Sequence, residues 1–305
     1  MNPADDGILI ADLPGGDGVD VALPATLQSP LVVSSPHSGR TFPPSFLSQV
    51  RLGIAALRRS EDAFVDELFG SAPGLGAPLI SAKFPRVFVD VNREPLELDP
   101  RMFDGRLPPG ANTRSLRVAG GLGTLARLAG DGQELYAERL PVSEALKRIE
   151  RCYLPYHARL AALIASARAA FGVCILIDAH SMPSTIMGAN AREEPMHADF
   201  VIGDRFGSSC DPRLMEAIEA SLRGAGYIVQ RNKPYAGGYI TEHYGNPYGR
   251  VHCVQIEINR ALYMNELAFE RSTGFAVVKA NIERLCSDIN TMSFGSFIQP
   301  RRAAE

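Results

Sequence analysis

Five short apolar runs, most of them rich in β-branched residues, break off abruptly in polar side chains: Leu31-Val32-Val33, Val87-Phe88-Val89, Cys174-Ile175-Leu176-Ile177, Phe200-Val201-Ile202 and Val254-Gln255-Ile256. Runs of this length suit strands covered on both faces, so they predict a parallel or mixed sheet between helices, an α/β domain. Helical spacing lies between them. Val142, Leu146, Ile149, Tyr153, Tyr156, Leu160, Ile164, Ala167 and Phe171 recur in steps of three or four, with Pro155 expected to kink that helix. A second helix is predicted from an Asp211 cap and Pro212 start, through Leu214, Ile218 and Leu222, to a Gly224 stop. A third carries Phe275, Val278, Ile282, Leu285 and Ile289. No internal repeat is evident. The simplest reading of residues 1–305 is one domain with a core over about 28–292; the first two dozen residues, Gly105–Gly132 and the last few residues read as loose.

Charge narrows the partners. The 31 Lys and Arg against 34 Asp and Glu give a net charge of −3 with no long run of either sign, which argues against a nucleic-acid or anionic-lipid face and for a small-molecule partner. No stretch of about 18 apolar residues occurs, and the start, MNPADDGILIADLPGGDGVD, lacks the basic and hydrophobic parts of a signal peptide. A cytoplasmic protein without a membrane partner is expected. The five cysteines, Cys152, Cys174, Cys210, Cys253 and Cys286, never fall in a C-x-x-C pair. They read as buried free thiols, and any bound metal must be held by histidine and carboxylate.

In open α/β sheets ligands bind beyond the carboxyl ends of strands, so the residues that end the apolar runs carry the information. His37 (in PHSG) and His180 (in DAHS) each follow a run within a small-residue loop. A lone histidine of this kind is more often structural than a ligand. Two of them with one carboxylate make a zinc set that leaves a fourth position open, the arrangement of hydrolytic sites. The acidic stretch Glu61-Asp62-Ala63-Phe64-Val65-Asp66-Glu67 holds more acids than a helix N-terminus needs, so Asp62 or Glu61 is the candidate carboxylate ligand. Asp66 and Glu67 are expected to face solvent or orient a neighbour.

Glu257 interrupts an apolar strand, where an unpaired carboxylate is costly. It reads either as an ion-pair partner of Arg260 or another arginine, or as a general base beside activated water. Arg93 and Arg260, each preceded by asparagine, suit a substrate carboxylate, with internal ion pairing (Glu94, Glu97 or Asp99 for Arg93) as the plain alternative. The loop from Asn232 to Gly245 brings Gly237, Gly238, Tyr239, Thr241 and His243 together, a composition that suits close backbone approach to a ligand. His243 is a candidate for orienting substrate; His157, His197 and His252 are assigned structural or surface roles.

The segments SPHSGRTFP, EDAFVDELF, VDVNREPLELDPRMF, LIDAHSMPS, ADFVIGDRFGSSCDP, NKPYAGGYITEHYG and VQIEINRALYM, in that order over roughly residues 30–265, resemble the N-formylglutamate amidohydrolase (N-formylglutamate deformylase) family. The resemblance implies a mixed, mostly parallel central sheet flanked by helices, similar to zinc-dependent exopeptidases. It implies one zinc ion per chain, or another divalent metal, and hydrolysis of N-formyl-L-glutamate to L-glutamate and formate in histidine degradation. By the same likeness His37 and His180 hold zinc, Glu257 is the base, and Asn92-Arg93 receives a substrate carboxylate. Wider relatives carry a glutamate ligand three positions after the first histidine, where this chain has Arg40. The resemblance therefore points to Asp62 as the third ligand, with Glu61 as the alternative. Gly238, Tyr239, Thr241, His243 and Arg260 complete the expected substrate contacts. The rivals are a zinc hydrolase of another N-acyl amino acid or short carboxylate-bearing peptide, and a metal-free binding protein on the same fold. A cysteine hydrolase is weaker, because Cys174 lies within an apolar strand and Cys253 just before one.

Overall fold

Seven strands form the main sheet: β1 (Val19–Ala22), β2 (Leu31–Ser35), β3 (Leu79–Ala82), β4 (Cys174–Met182), β5 (Phe200–Gly203), β6 (Val229–Arg231) and β7 (Val251–Asn259), in the spatial order β6-β5-β7-β4-β2-β3-β1. β6 runs parallel to β5, β7 to β4 and β4 to β2, while β5 runs antiparallel to β7. The sheet is thus mixed and mostly parallel, and helices flank it. The computed structural model describes residues 8–130, 132–185, 197–293 and 297. The outermost parts of the termini read as loose, residues 1–7 and 298–305, lie outside the described residues.

Four of the five apolar runs became strands; Val87–Val89 did not. Phe88 N–H donates to Pro85 O at 2.9 Å and folds the run into a turn, although all three side chains are buried. A short apolar run reports burial, which a turn wedged into a core satisfies as well as a strand. The strand in this region is β3 instead. The opening residues were also better ordered than their composition suggested, since Val19–Ala22 is the edge strand β1.

The helices are α1 (Val142–Arg148), α2 (Leu154–Phe171), α3 (Pro212–Gly224), α4 (Tyr239–Tyr244) and α5 (Phe275–Asn290), together with several shorter turns. Just before Pro155, Ile149–Tyr153 forms a π-helical turn. Proline has no N–H to give the carbonyl four residues back, and a widened turn accommodates the missing bond.

Two compact units, interleaved along the sequence, make up the chain. Among the described residues, the first comprises those within 8–21, 35–64 and 80–161. Its core holds edge-on aromatic pairs, Phe46 with Phe88 and Tyr136, and Phe84 with Phe88. The Arg148 guanidinium lies 4.4 Å from the Phe88 ring centre, with its charge met by Glu144 at 2.9 Å and the Tyr136 hydroxyl at 2.8 Å. The second comprises those within 22–34, 65–79 and 162–297. There Leu214, Ile218 and Leu222 of α3 and Val278, Ile282, Leu285 and Ile289 of α5 are buried, as their spacing predicted. Asp211 caps α3 by accepting from Arg213 N–H. All five cysteines are free and buried, and burial pushes the Cys152, Cys174 and Cys286 thiols up to about 12.

The His252 ring lies behind this cap, its Nδ1 accepting from Asp211 N–H at 3.0 Å. Burial lowers its pKa from 6.5, with Arg213 acting in the same direction and Asp211 against it. The folded state therefore favours the neutral ring while the unfolded chain takes up a proton more readily. This contribution to stability is complete above 6.5 and is lost as the pH falls below it. The melting temperature should decline between about pH 7 and about pH 5, before the carboxylates titrate, and His252→Gln should flatten that part of the profile. Asp211→Ala should cost about 1 kcal/mol in denaturant unfolding through loss of the cap.

Candidate active site

The central ladder decides which side chains meet. β4 and β7 pair in register over nine residues, with Asp178 opposite Gln255 and His180 opposite Glu257. Paired residues on neighbouring strands project to the same face, and alternate residues along a strand share it. That face begins apolar, with Leu176 beside Cys253, and turns polar toward the carboxyl ends, where Asp178, His180, Gln255 and Glu257 form a block of four. All four are buried. His180 thus sits within a strand and not in the loop after one, as its small neighbours had suggested. Its Nε2 lies 3.0 Å from Asp178 Oδ1.

The Gly- and Tyr-rich loop docks on this block. Gly238 N–H donates to Gln255 Oε1 at 2.7 Å, and Gln255 Nε2 donates to Glu257 Oε1 at 2.9 Å, so one amide links loop backbone to the candidate base. Thr241 Oγ1 donates to Asp178 Oδ2 at 3.3 Å. The close approach depends on Gly203, opposite Gln255 on β5, where a Cβ would stand 2.6 Å from the Ala236 carbonyl carbon. Tyr239 and His243, on one face of α4, stack at 4.9 Å and form a 3.2 Å hydrogen bond with each other. Arg260 is buried and its Nε donates to Ser181 Oγ at 3.1 Å.

His37 lies two residues beyond β2, in a loop pressed so closely on Phe84 that a Cβ at Gly39 would stand 2.2 Å from its carbonyl oxygen. Asp62 N–H donates to His37 O at 3.0 Å, and Asp62 Oδ2 lies 3.4 Å from His37 Nδ1. Glu61 points elsewhere, its Oε2 accepting from Arg58 Nε at 2.9 Å. Arg40, in the position of the missing glutamate, lies over the Phe64 ring at 5.2 Å. His37, Asp62 and His180 are all buried, and each brings one ligand atom within 4.8 Å of the other two. Two imidazoles and a carboxylate in this spacing fit zinc or a similar divalent ion by number and type of donor.

Asp90 is the residue that sequence reasoning passed over. Its Oδ1 accepts from His37 Nε2 at 2.7 Å and from Asn92 N–H at 2.8 Å, while Oδ2 accepts from Arg86 Nη2 at 2.8 Å. Burial alone would raise its pKa, but Arg93, His37 and Arg86 outweigh that and hold it well below the usual carboxylate range. An ionised Asp90 favours the His37 tautomer that carries its proton on Nε2, the tautomer whose Nδ1, on the Asp62 side, could bind a metal. Arg93 pairs with Asp90 at 3.6 Å rather than with Glu94, Glu97 or Asp99. Its Nε and Nη1 are tied to Leu122 O and Asn92 O at 2.9 and 2.8 Å. The signal for Asp90 was available in VDVNR, one acid buried beside one arginine; that for Asp178 and Gln255 was the period of two linking them to His180 and Glu257.

Comparison with known proteins gives this geometry a family. A family model of N-formylglutamate amidohydrolase matches residues 29–264. Among curated relatives, the N-formylglutamate deformylase of Pseudomonas aeruginosa is 32% identical over 245 residues, covering 78% of this chain and 84% of that one. That of Pseudomonas putida is 33% identical over 243 residues, covering 78% and 82%. Among solved structures, the N-formylglutamate amidohydrolase of Ralstonia eutropha JMP134 superposes with a TM-score of 0.85 at 36% identity, over 90% of this chain and 97% of its own. A gene product of Agrobacterium tumefaciens shares the fold at 21% identity, with a TM-score of 0.55 over 90% and 95% of the two chains. The chain is an α/β enzyme that acts on an amide. It belongs to the N-formylglutamate amidohydrolase family.

Asp90→Ala would leave His37, Arg86 and Arg93 without their shared counter-charge. It should cost about 3–5 kcal/mol of stability, read from denaturant unfolding. A loss below about 1 kcal/mol would mean that solvent, and not Asp90, neutralises the arginines.

Proposed function

We propose that the enzyme hydrolyses the formamide C–N bond of N-formyl-L-glutamate to L-glutamate and formate, a step of histidine degradation, with zinc held by His37, Asp62 and His180. The names of the two Pseudomonas relatives support the substrate. The observation that carries the metal is the buried approach of the three ligand atoms to within 4.8 Å. Zinc, when bound, supplies Lewis acidity toward the formyl oxygen and lowers the pKa of water toward neutrality.

The remaining work belongs to the chain. Glu257 accepts a proton from the attacking water as its oxygen bonds to the formyl carbon. The C–N bond then breaks and Glu257 returns that proton to the departing amino nitrogen. Its Oε1 is already engaged by Gln255 Nε2, which fixes the carboxylate plane. Asp90 holds His37 in the tautomer that a ligand needs. Arg93, its Nε and Nη1 anchored on carbonyls and its Nη2 3.6 Å from Asp90 Oδ2, presents its guanidinium to a substrate carboxylate beside Asn92, and Gly238, Tyr239, Thr241, His243 and Arg260 complete the substrate's surroundings. We place the reaction in the cytoplasm, where the five free thiols would stay reduced; no helix among the described residues is long and apolar enough to cross a membrane.

Metal content and formate release, measured before and after chelation, test the proposal. About one zinc per chain and chelator-sensitive formate release are expected. Zinc without formate release would redirect the substrate to another N-acyl amino acid. His180→Ala should lose both metal and turnover, whereas Glu257→Gln should keep the metal and lose about 100-fold or more in kcat. Equal metal loss in both variants would remove Glu257 from the role of base.

A further inference from the structure

The proposed substrate carries two carboxylates, and Arg93 accounts for one. A second guanidinium is held close by through the backbone. Leu122 O accepts from Arg93 Nε at 2.9 Å, while Leu122 N–H donates to Arg117 O at 2.8 Å, so a single residue bridges the two arginines. The short helix bearing Arg117, Leu116–Ala119, is capped by the Ser115 hydroxyl, and Asp90 N–H and Glu97 N–H fasten the following loop at Thr124. Burial lowers the Arg93 pKa, and Arg86 and Arg117 both act in the same direction.

The Arg117 backbone is therefore fixed while its head group makes only a long ion pair. Among the described residues that guanidinium makes no hydrogen bond, and its nearest acid, the buried Glu97 Oε2, stands at 3.9 Å. Glu97 Oε2 itself has no hydrogen-bond partner. Arg86 and Arg93 face Asp90, and Arg117 faces Glu97. The side chains of the three arginines remain 24%, 13% and 33% exposed, so an anion can reach them.

We propose that Arg117 is a specificity-determining residue that receives the second carboxylate of an N-acyl dicarboxylic amino acid, with Arg93 holding the first. This rests on the deformylase reading for the identity of the substrate, but the cluster can be tested apart from turnover.

The first measurement is formate release from N-formyl-L-glutamate and from the neutral isostere N-formyl-L-glutamine. Arg117→Gln should lower kcat/KM about tenfold or more for the glutamate substrate, chiefly through KM, and change the glutamine substrate by less than about twofold. Arg117→Lys should recover part of the loss. An equal loss on both substrates, or none on either, overturns the assignment. The second is calorimetric binding of glutarate against its monoamide. The unaltered enzyme should prefer glutarate by about tenfold, and Arg117→Gln should abolish that preference. No preference in the unaltered enzyme also overturns the assignment. If formate is released from neither substrate while the glutarate preference and its loss hold, the proposed reaction falls and the dicarboxylate subsite stands.

Discussion

The in-register ladder between Cys174–Met182 and Val251–Asn259 is the constraint on which the chemistry depends. A slip of one residue would send Asp178 and His180 to the opposite face from Gln255 and Glu257. Leucine, cysteine and valine hold the register in the first half of the ladder, where the shared face is apolar. The second half can then carry acids, an amide and an imidazole, whose own pairing would be a poor guide to alignment. Stability and reactivity are thus divided along the length of the same two strands.

Buried charge is the second organising theme. Asp90 serves a histidine and two arginines at once, and no pair among them could be buried cheaply alone. Gathering three partners on one carboxylate satisfies it from several directions. The same gathering ties the orientation of His37 to that of Arg93, so the metal-binding and substrate-binding sides of the proposed site share one anchor.

Much of this was legible in the chain. The strand running into Glu-x-Asn-Arg, the Asp211–Pro212 helix start and the mixed sheet were all read from local pattern. Other features were not, because pattern reports burial and period but not partners. Val87–Val89 met the rule for a buried run and became a turn, and His180 looked like a loop residue only because its neighbours are small. Asp90, Asp178 and Gln255 acquired their places through contacts with residues tens of positions away or on the adjoining strand. Pattern also could not separate Glu61 from Asp62, since it says nothing of the Arg58 contact that Glu61 makes three residues away.

The five free cysteines give the fold an internal record of its own opening. They sit in the central ladder, in the π-helical turn, before α3 and within α5, and burial suppresses their thiolates. A thiol reagent can therefore modify each one only when the surrounding element parts from its neighbours. The order in which they react would rank those elements by how often they breathe.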